Sequence, residues 1–240
     1  GWQWGGGWLA AAGFSDFAGS TLVHSTGGSA ALAGALLLGS RTGRFDAKGT
    51  PKALQPFAAS SVPLVTLGVF VLWLGWFGFN GGSQLALGTF TDAVAISTIF
   101  INTNLAACGG VLVAAVIPRL MTGKTDVVMM LNGAIGGLVA ITAEPLAPSP
   151  LAAILIGGVG GLIVVLGTKL LFSLKIDDVV GAIPAHLFAG IWGTLAVPLT
   201  NPDASFGAQL TGVLAVNIFV FVVALIIWGI MKNTVGIRLS

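Results

Sequence analysis

Two stretches of the chain carry one signature, Asp-x-x-Gly-x-x-x-x-His. They read Asp16-Phe17-Ala18-Gly19-Ser20-Thr21-Leu22-Val23-His24 and Asp178-Val179-Val180-Gly181-Ala182-Ile183-Pro184-Ala185-His186, and they hold both histidines of the sequence. A neutral imidazole offers one hydrogen-bond donor and one acceptor. Both rings fall in apolar surroundings, where a full charge is costly, so each is expected to be uncharged and functional. Two facing neutral rings satisfy each other and offer hydrogen bonds to a small polar molecule while giving little to a full charge. The competing reading is two unrelated core histidines, each bonded to a backbone carbonyl; the repeated spacing favours the pair. Zinc is not expected, because two histidines and the lone Cys108 are too few for a tetrahedral set. No cofactor and no catalytic residue are assigned.

The segments around these rings are those of a membrane. The 240 residues are 55% hydrophobic and 8% charged, with mean hydropathy +0.99, far from the roughly 25% charged residues of a soluble domain. Seven apolar stretches are read as spans: Phe17–Leu38, Ala58–Phe79, Val94–Ile117, Val127–Ala143, Leu151–Leu174, Val179–Val197 and Ala208–Met231. Pro51 and Pro56 precede the second, Pro118 closes the third, and Pro145, Pro148 and Pro150 fill a later loop. Asp16 and Asp126 are placed to cap helices. Glycine is abundant, 36 residues, and recurring pairs such as Gly133/Gly136 and Gly157/Gly160 are read as close helix packing. At ~1.5 Å per residue each His would lie about 12 Å inward from its Asp. One would approach from each side of a core ~30 Å thick, as in an inverted-repeat transporter.

Charge gives the orientation. Arg41, Arg44, Lys48, Lys52, Arg119, Lys124, Lys169, Lys175, Lys232 and Arg238 are every basic residue, and the seven-span reading puts all of them on one side. By the positive-inside rule that side is cytoplasmic, with residue 1 outside and residue 240 inside. Asp16, Asp92, Glu144 and Asp203 fall on the outer side, a bias that suits a cation, although Asp16 and Asp203 also fit loop-capping roles. The basic residues are scattered along loops, which argues against nucleic acid. Gly75-Trp76-Phe77-Gly78-Phe79-Asn80-Gly81-Gly82-Ser83 ends the second span outside. With Trp4, its aromatic faces and Ser83 would make a cation-attracting vestibule; an ordinary interfacial belt is the plainer reading of that stretch alone. Asn102, Asn104, Asn132 and Asn217 are read as interhelical hydrogen-bonding residues. Pro184 is expected to kink the sixth span beside His186.

Trp4, Gly6-Gly7-Trp8-Leu9, Asp16–Ser20, His24, Gly75–Ser83, Asn132–Ile135, Asp177-Asp178, His186, Gly190-Ile191-Trp192-Gly193 and Thr234–Arg238 together closely resemble the Amt/Mep/Rh ammonium transporter family. The chain looks like the C-terminal two-thirds of a bacterial Amt protein. The resemblance implies an all-α transmembrane fold with seven helices matching the fifth to eleventh of an eleven-helix, inverted-repeat, trimeric architecture. Residues 1–240 would then be one incomplete membrane domain, without the first four helices and the C-terminal tail. It implies that Trp4 and Ser83 recruit ammonium, that Phe79 gates and Trp76 walls the pore, and that His24 and His186 are its twin histidines. Asp16 and Asp178 would be structural acids. The family often has a further acid five residues before the second His, then Gly-x-His-Gly; here Gly181 and Pro184-Ala185-His186-Leu187 depart from that pattern. The implied function is inward passage of ammonium nitrogen across the plasma membrane, as NH3 after capture of NH4+. The implied partners are the bilayer, two further copies of the chain and, at the cytoplasmic face, a PII-type regulatory protein. An ammonium sensor fused to a signalling output is the alternative from another class. A retinal receptor is disfavoured because Lys169 and Lys175 both sit at one end of a span. The aromatic recruitment residues disfavour an Rh-like carbon dioxide channel.

Overall fold

A computed structural model describes residues 1–45 and 57–238. Lys48, Lys52, Pro51 and Pro56 lie outside the described residues. Every regular element described is a helix: α1 (Trp8–Ala11), α2 (Thr26–Leu38), α3 (Val62–Gly82), α4 (Phe90–Thr122), α5 (Val127–Ile141), α6 (Pro150–Ser173), α7 (Ala189–Ala196) and α8 (Phe206–Thr234). A π turn, Ser20–Ser25, leads into α2 and a second, Ile183–Phe188, leads into α7; the short 3-10 turn Val197–Leu199 closes α7. Five of the helical stretches are long and apolar enough to cross a membrane: Ser20–Leu38, α3, α4, α6 and α8. The stretches Val127–Ile141 and Ile183–Leu199 are apolar but shorter.

Caps set the starts of these helices more sharply than hydropathy does. Ser61 begins α3, Asp126 begins α5 and Ser149 begins α6, each accepting from backbone N–H groups of the first turn. At α4, Thr89 and Asp92 form a reciprocal capping box. The helix therefore starts at Phe90 rather than Val94, and it runs through Pro118 instead of closing there. Pro118 lacks the N–H that would bond the carbonyl of Ala114, so the ladder loses one bond there, and Gly123, at φ 76°, provides the left-handed stop.

Helices α4, α5 and α6 form one tightly packed group, and α2 pairs with α8. The group is close because glycines stand at its crossings. A Cβ on Gly110 would run into the backbone of Gly133, and one on Gly157 into that of Ala106. Both π turns and α7 pack between this group and the α2/α8 pair. Outer faces are apolar: Leu67, Phe70 and Leu74 on α3 and Ile218, Phe219 and Ile226 on α8 are all exposed. So wide an apolar surface on a protein chain is stable against lipid, not water.

Candidate functional site: two capped π turns and a histidine pair

The repeated signature builds the same local structure twice. The Asp16 carboxylate accepts backbone N–H bonds from Gly19 (3.1 Å), Ser20 (2.8 Å), Thr21 (2.8 Å) and Leu22 (2.9 Å). The Asp178 carboxylate accepts from Val180 (3.3 Å), Gly181 (3.0 Å), Ala182 (3.1 Å) and Ile183 (2.7 Å). Each acid thus gathers the orphan donors of a helix start. The intervening glycines, Gly19 at φ 118° and Gly181 at φ 79°, take left-handed conformations that let the chain turn over the carboxylate. A side chain at Gly181 would in addition strike the Asn132 amide. Where the resemblance suggested an acid, this position requires glycine.

Each histidine follows inside a π turn, His24 in Ser20–Ser25 and His186 in Ile183–Phe188. The regular α-helical rise assumed between each Asp and its His is absent. Asp and Gly precede the helical residues, and the π turns replace regular α-helix beyond them. The rings meet nonetheless: Nδ1 of His24 lies 3.2 Å from Nδ1 of His186, with centroids 5.2 Å apart and planes tilted by 22°.

Aromatic rings of α3 continue the stack. Trp76 lies parallel to His24 at 4.8 Å, and Phe79 contacts both His24 (5.4 Å) and Trp76 (5.9 Å). Trp76 is held in plane by Thr142, whose hydroxyl accepts its indole N–H at 2.9 Å and donates to Leu138 O at 2.7 Å. Sequence reasoning missed Thr142; its only signal was a hydroxyl at the end of a mostly apolar helix. A cavity of about 220 Å³ opens beside the pair, lined by Val23, His24, Gly27, Gly28, Ala182 and His186. Its walls are apolar apart from the two rings.

Trp4 and Ser83 stand apart from this stack. The Trp4 indole donates to Asp16 O at 2.9 Å, leaving the ring largely exposed over the turn. Ser83 donates to Phe79 O at 2.7 Å. Among the described residues, neither a hydrogen bond nor a ring contact joins Trp4 to Ser83. Asp16 is fully buried, so it caps rather than lending charge to the outer face. Asp92 is likewise engaged in the α4 capping box, and Glu144 accepts from Asn201 (2.9 Å).

Helix α5 braces both turns, one at each end. Near its C-terminus, Val139 O accepts from Ser20 Oγ (2.6 Å), and the carbonyls of Thr142 and Ala143 just beyond it accept from Ala18 and Phe17 N–H (3.0 and 2.8 Å). Nearer its N-terminus, Asn132 Nδ2 donates to Val180 O (3.0 Å). Helix α8 holds the first turn from the other side. Gln209 exchanges bonds with the Ser15 backbone (2.8 and 2.6 Å), and Asn217 Oδ1 accepts from the hydroxyls of Ser25 and Ser29. Asn102 bonds the carbonyls of Pro145 and Pro148 in the following loop. The interhelical role expected of these asparagines therefore holds for Asn217, while Asn102 and Asn132 fasten loop carbonyls.

The whole chain, residues 1–240, matches the model of the Ammonium Transporter Family. The chain belongs to that family. It is 43% identical over 241 residues to a putative ammonium transporter of Synechocystis, the match covering 96% of this chain and 54% of that protein. Among solved structures it is similar to a Sensor Amt Protein, with TM-score 0.89 and 33% identity over 98% of this chain and 59% of that one. It is also similar to Candida albicans Mep2, with TM-score 0.88 and 32% identity over 100% of this chain and 56% of that one. The chain spans about half the length of the curated relatives it matches. These relatives are named as ammonium transporters, and five helical stretches of this chain are long and apolar enough to cross a membrane.

Proposed function

We propose that the protein carries ammonium nitrogen inward across the plasma membrane, capturing NH4+ outside and passing NH3 along the histidine pair. The observation that carries this reading is the juxtaposed rings, Nδ1 to Nδ1 at 3.2 Å beside an apolar cavity. The rings share one hydrogen bond, His24 keeps an unpartnered Nε2 that can serve a small amine, and nothing in the cavity lining neutralises a cation. A proton must therefore leave before the nitrogen passes. Potassium cannot shed its charge in this way and finds no cage of oxygens, so it is excluded.

In this reading Trp4 and Ser83 recruit the cation, Phe79 forms the constriction and Trp76 the wall. The Ser83 hydroxyl spends its proton on Phe79 O, which leaves oxygen lone pairs to face a cation. The exposed face of Trp4 adds a cation–π contact, about 1–2 kcal/mol when partly desolvated. Asp16 and Asp178 hold the two turns. The described helical stretches correspond to seven spans, the fifth to eleventh helices of the family fold, forming one membrane domain that works as a homotrimer. The basic face is cytoplasmic, and a PII-type regulatory protein docks there.

The direct test is uptake of radiolabelled methylammonium by the full-length protein in liposomes. Saturable uptake that unlabelled ammonium suppresses and potassium does not is the expected result. Uptake equal to that of empty liposomes ends the proposal.

A further inference from the structure

His24 is fixed less by its own ring than by the turn beneath it. Its Nε2 is buried without a hydrogen-bond partner, so Nδ1 makes the ring's one polar contact, to His186. The backbone of Ser20–Ser25 is a π turn, short and irregular, and must be held by its surroundings. Three hydroxyls of that turn do this, each fastened to a different helix. Ser20 donates to Val139 O of α5 (2.6 Å), Thr21 pairs with Thr194 of α7 (2.7 Å), and Ser25 donates to Asn217 of α8. The other π turn, Ile183–Phe188, contains no hydroxyl at all.

We infer that Asn217 is a positioning residue for His24: its amide oxygen, gripping the hydroxyls of Ser25 and Ser29, sets where that ring stands against His186. Resting on the functional reading above, this adds a residue of α8 to the machinery of the pore. Ser25 immediately follows His24 and is fully buried, so a shift of Ser25 moves the ring with it. Asn217 is itself steadied by Nδ2 donating to Val213 O at 2.8 Å. The oxygen takes both serine protons, so it holds the end of the π turn and the next turn of α2 together. Gln209, eight residues earlier on α8, holds Ser15 just before the turn. Helix α8 therefore brackets the His24 segment at both ends, and Asn217 is the clamp nearer the ring.

The test uses the full-length protein in liposomes with methylammonium as probe, comparing wild type, N217L, N217D and the pair S25A/S29A. N217L should lower the maximal uptake rate about tenfold, with apparent KM changed less than twofold, because a misplaced ring spoils passage and not capture. S25A/S29A should do the same, and adding N217L to it should cost nothing further, since both remove one contact. N217D, which keeps an acceptor oxygen, should recover a large part of the rate. A folded N217L with wild-type rate and KM overturns the inference, as does full additivity with S25A/S29A. Should N217L fail to fold, the serine pair tests the same contact from the other side. A crystal structure of whichever variant folds supplies a reading independent of transport. Nδ1–Nδ1 separation beyond hydrogen-bond reach supports the positioning role, and an unmoved His24 refutes it. If wild type carries no methylammonium the functional reading fails, while that structural comparison still decides the role of Asn217.

Discussion

Removing the fully buried carboxylate of Asp16 would strand the four backbone N–H groups that now bond to it. An unsatisfied buried donor costs about 1–3 kcal/mol, so Asp16→Ala should leave little folded protein. Asp178 also accepts four backbone N–H bonds, one residue earlier in its turn, but is partly exposed, and water can replace some of them. Asp178→Ala should therefore be recovered in better yield and melt above Asp16→Ala; equal melting points would contradict this order. Thr142→Val tests the wall of the stack. It keeps shape but removes the acceptor for the Trp76 indole, so it should lower stability by about 1–3 kcal/mol and shift tryptophan fluorescence. The aspartates and histidines were legible in the sequence because the motif occurs twice. Thr142 was not, since its importance comes from a residue 66 positions away that only the fold brings near.

The α4/α5/α6 group packs closely through the glycines at its crossings. Gly110→Val or Gly157→Val would drive a side chain into a facing backbone, so either should abolish the folded form. Gly68→Ala on α3, where a Cβ meets open space, should be tolerated. Thermal stability in detergent separates the cases. At the basic end, Arg41 forks onto Asp177, with bonds of 2.8 Å to both carboxylate oxygens, and Arg44 approaches it at 3.4 Å. Hydrogen bonding from Arg41 holds the Asp177 carboxyl below its ordinary range. A depressed folded-state value means that the stabilisation is complete above the ordinary carboxylate pKa and is lost as pH falls through the lower one. Acidification should therefore cost wild type a contribution that Arg41→Gln already lacks, and their melting curves should converge at low pH. Most spans were legible from hydropathy. The π turns were not, because hydropathy cannot distinguish a π turn from an α turn, and α4 overran its proline because caps, not apolar residues, set its limits.

Across the whole molecule, every lysine and arginine falls on one side of the seven-span reading. In a variant with Cys108 replaced by Ser, a cysteine at Asp203 should react with an impermeant maleimide from outside. One at Lys124 should react only after permeabilisation; the reverse pattern would invert the orientation. The handedness of charge was plain in the sequence, whereas the meeting of residues 24 and 186 was only an expectation until the helices were placed. Helix α5 governs that meeting, for one turn rests at either end of it. It works as a gauge block between the two jaws. One alanine inserted into its middle would advance one jaw by about 1.5 Å and swing it through roughly 100°. Neither histidine would be altered chemically, yet the two would no longer face each other.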